Sequence, residues 1–179
     1  MEQEEALELI TNPEVEEYLD TEIVQGLLEM MCIFPVKLGD YYGPHHWVLQ
    51  HGQYFINKQR DRQFGPQKLC YYNSQMLMTR NIGSLSYVEG YVLAYHPTSH
   101  GWNIDTEGEV IDTTLRLEDK EYFGFVFSDQ FVLKNLVEQE ATVALIEDWQ
   151  QDYPLLKKSD DLLLKATKDP WNWLWPVGM

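Results

Sequence analysis

Cys70, His100 and Asp112 have the side-chain types and the local settings that thiol chemistry requires. Cys70 stands near the start of a stretch, Lys68 to Arg80, that reads as a helix after the break at Gly65-Pro66. A thiol in a first helical turn meets N–H groups without intrahelical partners and the positive end of the helix dipole, and both favour the thiolate. His100 and Asp112 fall on two predicted strands joined by the turn-forming segment Asp105-Thr106-Glu107-Gly108. In such a set the thiolate attacks, the imidazole takes and later returns the proton, and the carboxylate fixes the imidazole's tautomer and orientation. That chemistry requires no cofactor and no metal.

The hairpin carries a test of its own consistency. Side chains alternate along a strand, so His100, Trp102 and Ile104 share one face, and Val110 and Asp112 share one face of the next strand. Any register that sets Val110 against Trp102 or Ile104 also brings Asp112 to the side of His100, directly opposite or one diagonal step away. Asp105 competes for the histidine, but its odd spacing turns it to the other face. The same three residue types also occur where a buried helix cysteine, a hydrogen-bonded strand histidine and an aspartate near a turn serve packing alone. Type and spacing leave both readings open.

The elements that must position these residues read as follows. Residues 2–31 are helical with an interruption at Asn12-Pro13, and Leu7, Ile10, Val15, Tyr18, Leu19, Ile23, Leu27, Leu28 and Met31 recur at helical spacing. Cys32 lies in an apolar run and is expected to be structural. Trp47-Val48-Leu49 and Tyr54-Phe55-Ile56 read as two strands joined near His51-Gly52. His45, His46 and His51 lack the spacing and acidic partners of a metal site and read as loop histidines. In the Lys68–Arg80 helix, Leu69, Tyr72, Met76 and Leu77 are expected to face the core.

Leu85 to Tyr95 reads as a strand with Val88 and Val92 on one face and Tyr87, Glu89 and Tyr91 on the other. Gly90 in its middle suggests a bulge or a close backbone approach, and Glu89 beside it reads as a solvent-facing carboxylate, with the orienting of a catalytic group as the alternative. Tyr122–Phe127 is a further strand. Ser128 is an N-cap, and Phe131 to Trp149 is broadly helical. Three tryptophans, Trp171, Trp173 and Trp175, form a tail expected to dock on the domain.

The chain has 179 residues, enough for one domain with a substantial core, and we take 1–179 as that domain. Its 29 acidic against 13 basic residues give a net charge of −16, which repels phosphate backbones and anionic membranes. Direct nucleic-acid or membrane binding is therefore not expected, whereas a basic protein partner is compatible. The two cysteines form no disulfide or zinc pattern, the N-terminal residues are acidic and no run reaches the length of a membrane span. These features point to a cytoplasmic protein.

Four segments carry a resemblance: Leu69-Cys70-Tyr71-Tyr72-Asn73, Tyr87-Val88-Glu89-Gly90-Tyr91, His100-Gly101-Trp102-Asn103-Ile104 and Val110-Ile111-Asp112-Thr113-Thr114. In order and spacing they resemble the core of the transglutaminase-like (papain-like) cysteine enzymes. In that superfamily a nucleophilic cysteine starts a helix. An Arg-Tyr-Val-x-Gly-Tyr strand follows, then His-Ala-Trp on a strand and Asp-Pro-Thr on the next. Gly101 stands where alanine is usual, Thr113 where proline is usual, and Leu69 where glycine is common.

The resemblance implies an α+β fold in which the catalytic helix packs on an antiparallel sheet behind N-terminal helices. It also implies that Cys70 is the nucleophile, His100 the base and Asp112 the orienting acid. The expected activity is acyl transfer from a peptide, amide or thioester substrate to water or an amine, through an acyl-enzyme. For the oxyanion, Trp47, Gln50, His51 and Gln53 are all candidates by chemistry. The alternative is a non-catalytic acidic interaction or inhibitor protein on the same scaffold, with a basic partner for its charge.

Overall fold

The computed structural model describes residues 1–57, 64–115, 119–139, 141–157, 163 and 166–167. The tryptophan tail lies outside the described residues. The fold is α+β: five antiparallel strands form one sheet with several helices against it. The strands are β1 (Gln53–Asn57), β2 (Ser86–Leu93), β3 (Pro97–Ile104), β4 (Val110–Ile111) and β5 (Lys120–Val126), in the spatial order β1-β5-β2-β3-β4. The two edge strands, β1 and β4, approach each other, so the sheet curls into a nearly closed trough.

The curl explains why both faces of β2 are buried. Its inner face carries Val88 and Val92, which pack with Phe55, Trp102, Ile104, Val110 and Tyr122 inside the trough. Its outer face carries Tyr87 and Tyr91, which join Trp47, Phe123, Phe125 and Phe127 beneath the helices. β2 therefore lacks the solvated face of a strand in a sheet that has water on one side. At Gly90 an added Cβ would lie 2.3 Å from the Phe123 carbonyl oxygen, so the expected close approach is real.

Three helices, α1 (Gln3–Glu8), α2 (Pro13–Glu17) and α3 (Glu22–Ile33), occupy the predicted N-terminal region. Pro13 starts α2 with Asn12 as its cap. A second break precedes α3, whose first turn is held by Glu121 of β5 accepting from the Ile23 N–H at 2.9 Å. Ile23, Val24, Leu27, Leu28 and Met31 are fully buried along α3, each worth about 1.5–3 kcal/mol of transfer free energy. Cys32 packs against this core, and burial raises its thiol above the ordinary value.

Four expectations are corrected here. Trp47-Val48-Leu49 is not a strand but the middle of α4 (Gly43–His51). A run of three apolar residues carries no period of its own, and Pro44 in the first turn with Gly52 at the end bounds a helix. The segment Phe131–Trp149 is helical only over α6 (Asp129–Gln139), which Ser128 caps through the Phe131 N–H. Residues 141–148 are irregular, because their backbone groups are satisfied by side chains from elsewhere.

The third correction concerns α5 (Cys70–Arg80). Leu69 and Tyr72 are exposed, and the helix instead buries Asn73, Ser74, Gln75 and Met78, while Met76 and Leu77 are half-buried. Its buried face is polar because that face makes specific hydrogen bonds. The fourth is Glu89, which is 2% exposed rather than solvent-facing, closed in under α5 and residues 143–147.

Candidate active site

Cys70 is the first residue of α5, and the helix lies against β3. Asn73 and Ser74 set its position. Asn73 Nδ2 donates to the Pro66 carbonyl and to Thr114 Oγ1, both at 2.8 Å, which ties the helix to the approach segment and to the turn after β4. The Ser74 carbonyl accepts from Asn103 Nδ2 of β3 at 3.0 Å, and the Ser74 hydroxyl donates to the Cys70 carbonyl at 2.6 Å. Gly101 allows the close packing, since a Cβ there would meet the Tyr71 ring at 2.9 Å.

Ile104 pairs with Val110 and Asn103 with Ile111, so Asp112 lies one diagonal step from His100 on the same face. His100 Nε2 bonds Asp112 Oδ2 at 2.7 Å, which leaves Nδ1 for the Cys70 thiol that also contacts the ring. Asp112 is saturated: Oδ1 accepts the N–H groups of Thr114 and Leu115, and Oδ2 also accepts the Tyr122 hydroxyl at 3.0 Å. Asp105 instead caps its own turn through the Glu107 and Glu109 N–H groups. The His100 ring lies nearly parallel to Trp102, with centroids 6.2 Å apart, and Tyr122 flanks it.

The electrostatics follow from this arrangement. Burial opposes ionisation of Cys70, but the hydrogen bond and charge of His100 and the N–H groups of Gly101 and Tyr71 outweigh it, and the thiol is held below its ordinary value. Burial likewise disfavours charge on His100, yet its bonds to Asp112 and Cys70 raise it to about 9. Asp112 is lowered despite burial, chiefly by His100 and its backbone donors. The downward shift of Cys70 and the upward shift of His100 both favour a thiolate–imidazolium pair over the neutral pair. Cys70 is half-buried and His100 nearly closed off, so Cys70 is the more exposed of the two.

Cys70, His100 and Asp112 are thus brought together. Tyr122 carries no signal in the sequence, since a tyrosine in an apolar strand gives no sign of a partner ten residues upstream. The four oxyanion candidates are placed by other neighbours. Gln50 bonds Thr11, and His51 bonds Tyr41. Trp47 is enclosed against Phe125 and His51. Gln53 sits three strands from His100 in one cross-sheet row. In the first turn of α5 the Tyr71 N–H is turned to the sulfur, and the Cys70 and Tyr72 N–H groups, which precede the first intrahelical bond made by Asn73, remain as candidate donors.

His45 stacks on Tyr91, and His46 Nδ1 accepts the Tyr42 N–H. Among the described residues no group of three or more His, Cys, Asp or Glu could hold a metal ion, and no helix is long and apolar enough to cross a membrane. No family model, curated protein or solved structure matches the chain.

Proposed function

We propose that this chain is a cysteine-dependent acyl-transfer enzyme of the transglutaminase-like kind, acting on an amide or thioester. The observation that carries the reading is that His100 Nε2 is bonded to the Asp112 carboxylate while the Cys70 thiol interacts with the same imidazole. The Cys70 thiolate attacks the substrate carbonyl carbon, forming a C–S bond, and the carbonyl electrons move onto oxygen. The Cys70 and Tyr72 N–H groups at the start of α5 are the donors proposed for that oxyanion. His100 gives its Nδ1 proton to the departing amine or thiol as the carbonyl is restored, which leaves an acyl-enzyme. Water or an amine then attacks, His100 takes its proton and the thiolate departs.

The test is mass spectrometry of the intact protein after exposure to a panel of acyl donors and electrophiles. The expected adduct is confined to Cys70. Adducts spread equally over Cys70 and Cys32 sink the reading.

A second reading, a non-catalytic protein that binds a basic partner, is favoured by an open groove of about 600 Å³ between the N-terminal helices and the β2–β3 turn. Glu2, Glu22 and Glu29 line it with Tyr95 and Pro97. A salt-sensitive complex with a basic protein that survives Cys70→Ala and fails on Glu22→Lys with Glu29→Lys decides for that reading.

A further inference from the structure

β3 has an open edge beside the nucleophile. Antiparallel strands send the N–H and C=O of alternate residues to opposite neighbours. Just past β3 the Asp105 N–H donates to the Glu109 carbonyl, so the odd-numbered residues of β3 turn their backbone groups to the β4 side. The Gly101 N–H, which reaches the Cys70 thiol, has that parity. β4 pairs only with Asn103 and Ile104, and the chain after it departs, with the Thr113 carbonyl accepting from the Gly65 N–H. Ser99 is the next odd residue. Its N–H and C=O turn to the same side, and among the described residues neither has a partner.

This edge leads from the thiol to the acidic groove. Pro97 has no N–H and ends the pairing edge, and it lies against α3, where a Cβ added at Gly26 would be 2.6 Å from Pro97 Cγ. Pro97 also lines the groove of about 600 Å³ with Glu2, Glu22, Glu29, Cys32 and Tyr95. The Met1 amine and His96 are the basic groups there, while Glu2, Glu5 and Glu29 all act on the Cys32 thiol. From Gly101 to Pro97 a strand covers roughly 13 Å. The sulfur and the groove thus stand at the two ends of one short edge.

We propose that Cys70 takes its acyl group from an extended, basic peptide segment, which adds to the free edge of β3 at Ser99 and lays lysine or arginine side chains among Glu2, Glu22 and Glu29. This rests on the reading of Cys70 as the reacting group. An edge residue that offers both N–H and C=O holds a peptide main chain whatever its side chains, and the flanking surface selects the sequence. A small amide or thioester has no main chain to pair there. The selection is by charge: a net charge of −16 and a groove with three carboxylates attract a cationic segment and repel an acidic one.

A thiol stands at each end of this track, Cys70 at the edge and Cys32 in the groove, and both are free. The experiment is iodoacetamide alkylation of the full chain at pH 8, with peptide mapping of both thiols, in the presence of an eight-residue peptide that alternates lysine and threonine. Both thiols are expected to be protected with one half-protecting concentration, and at ten times that concentration each reacts about tenfold more slowly. Raising the salt from about 0.05 M to about 0.5 M is expected to raise the half-protecting concentration at least tenfold. Glu22→Lys with Glu29→Lys, both exposed on α3, is expected to do the same. The glutamate–threonine peptide is expected to protect neither thiol. N-methylation of alternate residues removes half of the peptide's donors, and one of the two alternating sets is expected to abolish protection of Cys70.

Protection of neither thiol, of one alone, or of the two at unrelated concentrations overturns the proposal. Equal protection by the glutamate peptide overturns the selection by charge, and this needs no variant should the double substitution fail to fold. Protection indifferent to both methylated sets overturns the edge pairing. A Cys70 no more reactive than Cys32 in the free chain counts against the enzyme reading and leaves the protection measurement standing.

Discussion

His100 Nε2 and Asp112 Oδ2 meet at 2.7 Å across the β3–β4 hairpin although their backbones are not paired with each other. The contact is diagonal. It exists because Ile104 pairs with Val110, so packing inside the trough and the His–Asp bond require one register. A slip of one residue would move Asp112 to the other face and expose Val110.

Cys70 is expected to react with iodoacetamide at pH 7 at least about tenfold faster than Cys32, because the thiolate is the nucleophile and environment shifts the two thiols in opposite directions. Peptide mapping after brief labelling measures the ratio. Cys32→Ala is expected to leave activity nearly unchanged.

His100→Ala and Cys70→Ala are each expected to abolish turnover, and Asp112→Ala to impair it strongly. In His100→Ala the alkylation profile of Cys70 should also move to higher pH, since its leading stabilising hydrogen bond is gone. Each unit of upward movement costs about tenfold in thiolate at pH below the midpoint. A profile that does not move means that His100 does not hold the thiolate.

Tyr122→Phe removes one of the donors to Asp112 and keeps the ring that flanks His100 and Trp102. A stability loss of about 1–3 kcal/mol is expected, because the acceptor is charged and enclosed. Turnover should fall several-fold and not be abolished, since His100 and two backbone donors still hold Asp112. Denaturant unfolding and kinetics read the two effects separately.

The pH dependence of stability has a definite sign. His100 is raised to about 9 in the fold. Its contribution is present below the ordinary histidine value of about 6.5 and is lost as pH rises through 9. Asp112 is lowered, so its contribution is present above about 3.9 and is lost as pH falls through its folded value. Glu89 is raised to about 7, so its contribution is present below about 4.3 and is lost as pH rises to 7. Thermal melts of wild type and His100→Gln should differ in slope between about pH 6.5 and 9, and identical slopes refute the assignment.

Gly90→Ala is expected to be worse than Gly101→Ala. At Gly90 the new methyl meets the carbonyl of Phe123 in the next strand, which cannot move without breaking the ladder. At Gly101 it meets the Tyr71 ring and two hydroxyls, which can shift at a cost of about 1–3 kcal/mol. Comparison of melting temperatures decides it.

The sequence by itself determined what local rules and alternation can carry. The helix start at Cys70, the strand faces of Tyr87 to Val92 and the shared face of His100 and Asp112 depend on spacing along a few residues and one hairpin register. Only the tertiary structure decided the surroundings. Whether Leu69 or Asn73 faces inward on α5 depends on which carbonyls and hydroxyls the neighbouring segments present, and no period in the helix encodes that.

Glu89 looks in sequence like any strand carboxylate. It is enclosed because the sheet curls, α5 lies over it and residues 143–147 bring their N–H groups to it from 56 or more positions away. Tyr122 joins Asp112 for the same reason: the hydrogen bond requires β5 and the residue after β4 to come together around one trough, and contacts made by curvature leave no mark in local spacing.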